Sequence, residues 1–331
     1  MNSVIARPLI VLTDRIHPDA YRYLCEHAEV TILDPALSPD EANAALRAAL
    51  VDAQGLIVRR QLPGDILDGQ HDLRGIVRHG VGLDFIPVAA ATAKKLPVAN
   101  TPEVNANSVA EYAIGAMLAA TRRYAEFDKN VRDGNWNSRR NAGALTFELK
   151  NRCVGIVGYG AIGKRIAEIA FHGFGMQVVA HTRTPSRLPA HVNGADLKSL
   201  FSASDFIVLA CPLTEATRGM INAELLANAR PGAMLINVAR GPVVNEADLI
   251  AALESGQIAS AALDVFEVQP LPDASRLRAH PRVMLTPHLA GMTLDAERAM
   301  GMLAVQTQLA LIRGERPANV VNADIYIQQE T

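Results

Sequence analysis

Three short segments place charged side chains where an apolar run gives out. Arg240 follows AMLINV in Asn237-Val238-Ala239-Arg240-Gly241. Asp264 closes ASAAL and opens Asp264-Val265-Phe266-Glu267-Val268-Gln269-Pro270. His288 follows VML in Thr286-Pro287-His288-Leu289-Ala290-Gly291. An arginine grips a carboxylate through two parallel hydrogen bonds, and a histidine moves a proton near neutral pH. The set suits proton transfer on a substrate that carries a carboxylate. Any one of the three alone is unremarkable, since a single histidine after a strand is more often a satisfied loop residue.

A second constellation is Gly158-Tyr159-Gly160-Ala161-Ile162-Gly163, entered by the apolar run CVGIV and left by the amphipathic run KRIAEIAFHGFG. Glycine turns are common, and it is the strand before and the helix after that make this one specific. The first glycine permits the tight turn, the second lets backbone approach a pyrophosphate, and the third lets helix pack on strand. The N–H groups and dipole of the helix start then hold phosphate. About 20 residues on, an Asp or Glu would bind the ribose 2′-OH of NAD. Here the chain reads His181-Thr182-Arg183, then Arg187, with no acid. Thr and Arg can bind and neutralise a 2′-phosphate that a carboxylate would repel. The expected cofactor is therefore NADP(H) rather than NAD(H).

Short apolar runs alternating with longer amphipathic segments must position these residues, which is the rhythm of βαβ units and parallel sheet. Strands are expected at 8–12, 29–33, 54–58 and 74–77, with helices at 17–27 and 38–49 between them. The second helix opens with Ser38, Pro39 and Glu41, an N-cap, a first-turn proline and a capping-box acid. A long Ala-rich helix is expected over 107–129, with Ser108 and Glu111 as a second capping box. Its small residues suit an interface or an ordinary core. Residues 130–150 read as irregular and polar and hold the only tryptophan, Trp136. Further strands are expected at 152–158, 177–181, 205–210, 233–238, 259–264 and 282–285, and a last helix at 293–313. In an open α/β sheet ligands bind beyond the carboxyl ends of the strands, so Arg240, Asp264 and His288 can face one crevice.

The chain has 331 residues, long enough for two domains, with 49% apolar and 20% charged residues, as in compact globular proteins. A net charge of −2 with no basic stripe argues against a nucleic-acid partner. No run reaches the roughly 18 apolar residues of a membrane span. Cys25, Cys153 and Cys211 lie far apart with no CxxC spacing, so neither a disulfide scaffold nor a thiolate metal site is expected. The expected setting is the cytoplasm, with no metal.

Taken together and in order, these motifs identify the chain as similar to the D-isomer-specific 2-hydroxyacid dehydrogenases, which include glyoxylate/hydroxypyruvate reductases and phosphoglycerate dehydrogenases. The resemblance spans Val77–Asp84, Asn107–Glu111, Gly158–Gly163, Cys211-Pro212-Leu213-Thr214, Asn237–Gly241, Asp264–Pro270 and Pro287-His288. It implies an α/β fold of two doubly wound parallel-sheet lobes. A Rossmann dinucleotide-binding domain (102–293) would be inserted into a flavodoxin-like substrate domain (1–101 plus 294–331). It further implies that Arg240 binds the substrate carboxylate and polarises the 2-keto group, helped by the N–H groups of Val81 and Gly82. His288 would be the acid/base, giving a proton to the carbonyl oxygen as hydride arrives from the nicotinamide. Asp264 would bind the nicotinamide carboxamide, and Cys211 and Pro212 would line the adenosine side. Gly158, Gly160, Ala161, Ile162, His181, Thr182, Arg183, Val238 and Gly291 complete the implied cofactor site. Arg59 and Arg60 end a strand where the family touches substrate, with Arg60 the candidate contact, whereas His79 reads as structural. The implied assembly is a homodimer through the dinucleotide-binding domain, to which the Trp136 segment would contribute.

One position departs from the family pattern. A Glu usually precedes the proline of DVFExxP and pairs with the histidine, but here that residue is Gln269. Gln can orient the imidazole yet supplies no charge, so His288 should be neutral at pH 7 more often than in relatives and ketoacid reduction should have an acid-shifted optimum. Glu267, two residues earlier, is a poorer partner whose side chain should point elsewhere. Formate dehydrogenases resemble this family and pair Gln with their histidine, which makes formate oxidation one alternative. A dinucleotide-sensing binding protein like the C-terminal-binding-protein corepressors is another.

Overall fold

The computed structural model describes residues 7–329 apart from Gln70. The chain divides into two compact units, one running to Asn105 and resuming at Thr293, the other spanning Ala106–Met292.

In the first unit β1 (Leu9–Leu12), β2 (Glu29–Ile32), β3 (Gly55–Val58), β4 (Ile76–Arg78) and β5 (Val98–Ala99) form a sheet ordered β2-β1-β3-β4-β5. Every pair is parallel, which is the flavodoxin-like order. Strand β3, GLIV, is buried throughout because helices cover both faces of a parallel sheet. These helices include α1 (Pro18–His27), α2 (Pro39–Leu50) and α3 (Val88–Ala93). Helix α2 starts as its sequence dictates, with Pro39 in the first turn and Ser38 and Glu41 capping reciprocally. The C-terminal helix Leu294–Ile312, capped by the Thr293 hydroxyl, buries Ala304, Val305, Leu309 and Leu311 with Ile10, Leu12, Ile57 and Val77. Distant stretches of sequence thus share one core.

In the second unit β6 (Cys153–Val157), β7 (Gln177–His181), β8 (Val192–Gly194), β9 (Phe206–Leu209), β10 (Met234–Asn237), β11 (Ser260–Leu263) and β12 (Val283–Leu285) form a sheet ordered β12-β11-β10-β9-β6-β7-β8. All pairs are again parallel. The chain runs outward through β7 and β8, then returns to β9 on the other side of β6. Strand order therefore reverses between β6 and β9, where an α/β sheet opens its ligand crevice. The helices are α4 (Ala106–Arg122), α5 (Tyr124–Arg132), α6 (Ala142–Leu145), α7 (Ala161–Glu168), α8 (Leu197–Ala203), α9 (Ala223–Leu226) and α10 (Glu246–Ser255).

The single helix expected over 107–129 is two helices. Arg123 adopts a left-handed conformation, φ 53°, which ends α4 and redirects the chain into α5. The expected capping box at Ser108 is also corrected: α4 starts at Ala106, so Ser108 lies in its first turn, and Glu111 instead accepts from Asn107 Nδ2 at 2.6 Å. The Ala-rich face of α4 packs into its own unit's core with Ile166, Ala167 and Ala170. Residues 130–150, expected to be irregular, hold the end of α5, a 3₁₀ turn at Trp136–Asn141 and α6. From Arg122 to Glu148 no described residue is buried, and Tyr124, Val131, Trp136, Leu145 and Phe147 are all exposed.

Candidate active site

The glycine turn joins β6 to α7 at the strand-order reversal. Gly158 has φ +101°, and a Cβ there would lie 2.7 Å from the Cys211 backbone nitrogen. A Cβ on Gly163 would lie 2.1 Å from Gly158 O, so only glycine lets α7 start this close to β6. Gly160 differs: a Cβ there would meet nothing within 4 Å, so no protein atom accounts for the missing side chain. Helices α8, α9 and α10 are each capped by a side chain, from Asp196, Asn222 and Asn245, but α7 is not. Open space before an uncapped helix start, at Ala161 and Ile162, fits a dinucleotide pyrophosphate.

The flanking loops fit the adenosine end. Gly158 N–H donates to His181 O at 3.0 Å, tying the turn to the end of β7, and His181 Nδ1 donates to Ala195 O at 3.0 Å. Thr182 is half-buried and Arg183 and Arg187 are exposed. No carboxylate among the described residues pairs with either arginine. Cys211 and Pro212 follow β9, on the other side of the strand-order reversal, and burial pushes the Cys211 thiol up, which keeps it protonated and unreactive. Among the described residues no cluster of three metal-ligating side chains occurs.

The loops after β10, β11 and β12 come together. A Cβ on Gly241 would lie 1.8 Å from Phe266 O, so glycine permits the loop carrying Arg240 to touch the loop carrying Gln269. Asn237, 1% exposed, shapes the first loop: Ala239 N donates to its Oδ1 at 3.0 Å and its Nδ2 donates to Arg240 O at 3.1 Å. Val238 is buried, and Arg240 Nη1 donates to Ala239 O at 2.8 Å. His288 Nδ1 donates to Gln269 Oε1 at 3.0 Å, and Gln269 Nε2 donates to Phe266 O at 3.3 Å. The second bond orients the amide so that its oxygen faces the imidazole. Glu267 turns away from His288, its carboxylate accepting from Glu246 N at 3.0 Å while the Glu246 carboxylate accepts from Glu267 N at 2.6 Å. Burial, with the Glu267 charge adding to it, holds the Glu246 carboxyl above its ordinary range.

Asp264 is 2% exposed and anchors the histidine loop. Its Oδ1 accepts from Thr286 Oγ1 at 2.7 Å and Leu289 N at 2.8 Å, and its Oδ2 from Ala290 N at 2.9 Å. A carboxylate has about four acceptor sites, so Oδ2 keeps one for a further donor. His288 itself has φ 55°, and Gly291 follows half-buried. Thr286 and Gly241 carry no local signal of their role, because their partners lie on other loops or helices.

In the first unit the carbonyls of Val81 and Gly82 are held by Asn100 Nδ2 at 2.8 Å and Arg78 Nε at 3.2 Å. Their N–H groups have no acceptor among the described residues. The Arg60 guanidinium pairs with Asp14 through Nε at 3.1 Å and Nη2 at 2.8 Å, and Arg59 pairs with Glu297 at 2.8 Å. His79 is 3% exposed, and burial, reinforced by Arg59, holds it down at about 3, so it is a neutral core group.

A glycine turn at the reversal of a parallel sheet, with Arg240 and an amide-held His288 on loops beyond the same sheet, defines a dinucleotide-dependent oxidoreductase. The D-isomer specific 2-hydroxyacid dehydrogenase NAD binding domain matches residues 114–290. A glyoxylate reductase of Pyrococcus furiosus is 35% identical over 326 residues, 96% of either chain. A hydroxypyruvate reductase of Thermotoga maritima is 35% identical over 91% of this chain and 97% of its own. The crystal structure of an NADPH-dependent glyoxylate/hydroxypyruvate reductase from Sinorhizobium meliloti, in complex with NADP and malonate, superposes with a TM-score of 0.81 at 33% identity, covering 96% of this chain and 97% of that one. The chain belongs to the D-isomer specific 2-hydroxyacid dehydrogenase family. Its activity is the NAD(P)H-dependent reduction of a 2-keto acid to a D-2-hydroxy acid.

Proposed function

We propose that the chain reduces a small 2-keto acid of the glyoxylate/hydroxypyruvate type and prefers NADP(H) to NAD(H). The observation that carries this reading is the His288–Gln269–Phe266 chain of hydrogen bonds, which holds an imidazole by its Nδ1–H on the loop beside Arg240. The proton exchanged with substrate is then the one on Nε2, passed to the carbonyl oxygen during reduction and recovered from solvent afterwards. Arg240 binds the carboxylate and draws charge toward the keto oxygen as it becomes an alkoxide. The N–H groups of Val81 and Gly82 and the Arg60 side chain are further proposed substrate contacts. Bound nicotinamide supplies the hydride.

Gly158, Gly160, Ala161 and Ile162 cradle the pyrophosphate, Cys211, Pro212 and Val238 line the adenosine side, and Asp264 and Gly291 face the nicotinamide. His181, Thr182 and Arg183 receive the adenosine ribose and its 2′-phosphate, and Arg183 and Arg187 lack a carboxylate neighbour that would oppose that anion. We place the enzyme in the cytoplasm, in keeping with three unpaired cysteines. Among the described residues no helix is long and apolar enough to cross a membrane. The exposed aromatic and aliphatic side chains between Tyr124 and Phe147 favour a homodimer formed through the dinucleotide-binding unit. The test is the ratio of kcat/KM with NADPH to that with NADH on glyoxylate and hydroxypyruvate. A ratio well above one that collapses in Arg183→Ala supports the cofactor assignment, and a ratio near one overturns it.

A further inference from the structure

Tyr112, on the buried side of α4, is half-buried and lies 174 residues before Thr286 in the chain, yet its hydroxyl oxygen is 2.6 Å from Thr286 Oγ1. The direction of that bond follows from its neighbours. Thr286 has one hydroxyl hydrogen, and it goes to Asp264 Oδ1 at 2.7 Å. Thr286 Oγ1 must therefore accept, and Tyr112 must donate. Burial pushes the Tyr112 phenol up, so the donor keeps its proton. The Asp264 carboxylate in turn takes the N–H groups of Leu289 and Ala290, and His288 N donates to Asp264 O at 2.9 Å. Between these anchors stands His288 at φ 55°, a conformation that a residue with a side chain leaves unless its surroundings hold it.

We propose that Tyr112 is a positioning residue for the reaction: its hydroxyl, through Thr286 and Asp264, holds the 288–290 turn in the conformation that presents the His288 imidazole. The inference rests on the reading of His288 as acid/base. Its elements are directional hydrogen bonds in series, each polarising the next, which makes them act as a unit rather than as independent contacts. Helix α4 thereby connects to the loop that carries the proton. No feature near Tyr112 in the sequence marks it, because each link in the series joins a different loop or helix.

The experiment compares Tyr112→Phe, Thr286→Val, the double variant and Thr286→Ser in reduction of a 2-keto acid, alongside amide hydrogen exchange of the peptide covering residues 286–292. Losing one neutral hydrogen bond to a transition-state-positioning group lowers kcat by about fivefold in Tyr112→Phe, with the keto-acid KM nearly unchanged. Thr286→Val loses more, the double variant loses no more than Thr286→Val, and Thr286→Ser recovers most of the rate. Exchange at Leu289 and Ala290 quickens in Tyr112→Phe and Thr286→Val. Wild-type kcat and exchange in Tyr112→Phe overturn the proposal, as does a double variant whose loss is the product of the single losses. A wild-type enzyme inactive on every 2-keto acid sinks the functional reading instead, and the exchange rates then decide alone whether Tyr112 holds the turn.

Discussion

Replacing Gln269 by Glu sets a carboxylate against the His288 imidazole, whose Nδ1 now meets the amide oxygen at 3.0 Å. His288 is exposed, so the effective dielectric lies between bulk water and a protein surface. Opposite unit charges about 4 Å apart attract by about 1 kcal/mol in the first case and about 4 kcal/mol in the second. An intermediate value of about 2 kcal/mol favours the imidazolium and moves its titration upward by about 1.5 pH units. The substitution also removes the donor that Gln269 Nε2 offers Phe266 O at 3.3 Å. That loss, about 1 kcal/mol, falls on both protonation states and so lowers Tm without changing the titration. Reduction requires the protonated imidazole, so the alkaline limb of kcat/KM for a 2-keto acid moves to higher pH in Gln269→Glu. Oxidation of the hydroxy acid requires the neutral form, so its acid limb moves the same way. Paired pH–rate profiles of wild type and variant in both directions make the assay. Limbs that stay within about 0.3 pH units of wild type would refute the pairing of Gln269 with His288 as the control on proton transfer.

Three other outcomes follow from the geometry. Gly163→Ala forces a Cβ to 2.1 Å from Gly158 O, so its Tm falls by several degrees and NADPH affinity drops, both readable by thermal melts with and without cofactor. His79, held down at about 3 by burial and then Arg59, stays neutral in the fold while the unfolded chain takes up a proton below about pH 6.5. Stability is therefore lost as pH falls from about 6.5 toward 3, at about 1.4 kcal/mol per unit, and His79→Gln flattens that slope in urea melts at pH 7 and pH 5. A slope identical to wild type would show that His79 is protonated in the fold. For the proposed homodimer, Trp136→Asp combined with Tyr124→Asp yields a monomer by light scattering; a monomeric wild type overturns the dimer, and a variant mass unchanged from a dimeric wild type assigns the interface elsewhere.

What the sequence made legible was local. The strand–glycine–helix unit around Gly158, strand Gln177–His181 and the Ser38 cap each depend on residues a few positions apart. The left-handed Arg123 was invisible, because helix-forming residues flank it on both sides. Strands β5 and β8, of two and three residues, are too short for alternation to register. In the site, Arg240 and His288 could be read directly, since each closely follows a strand end, and Gln269 could be read from its place before Pro270. The contacts that fix them could not. Gly241 against Phe266 and Thr286 against Asp264 arise only when parallel strands bring successive loops to one end of the sheet, and Tyr112 against Thr286 only when α4 packs beside them.

The most direct test of the central claim is NADPH consumption with glyoxylate, hydroxypyruvate and larger 2-keto acids, followed by chiral analysis of the product, with formate oxidation run alongside. The expected result is turnover of a small 2-keto acid to the D-2-hydroxy acid, abolished in His288→Ala and Arg240→Ala. Turnover that survives His288→Ala, an L-configured product, or oxidation of formate with no 2-keto acid reduced would contradict it.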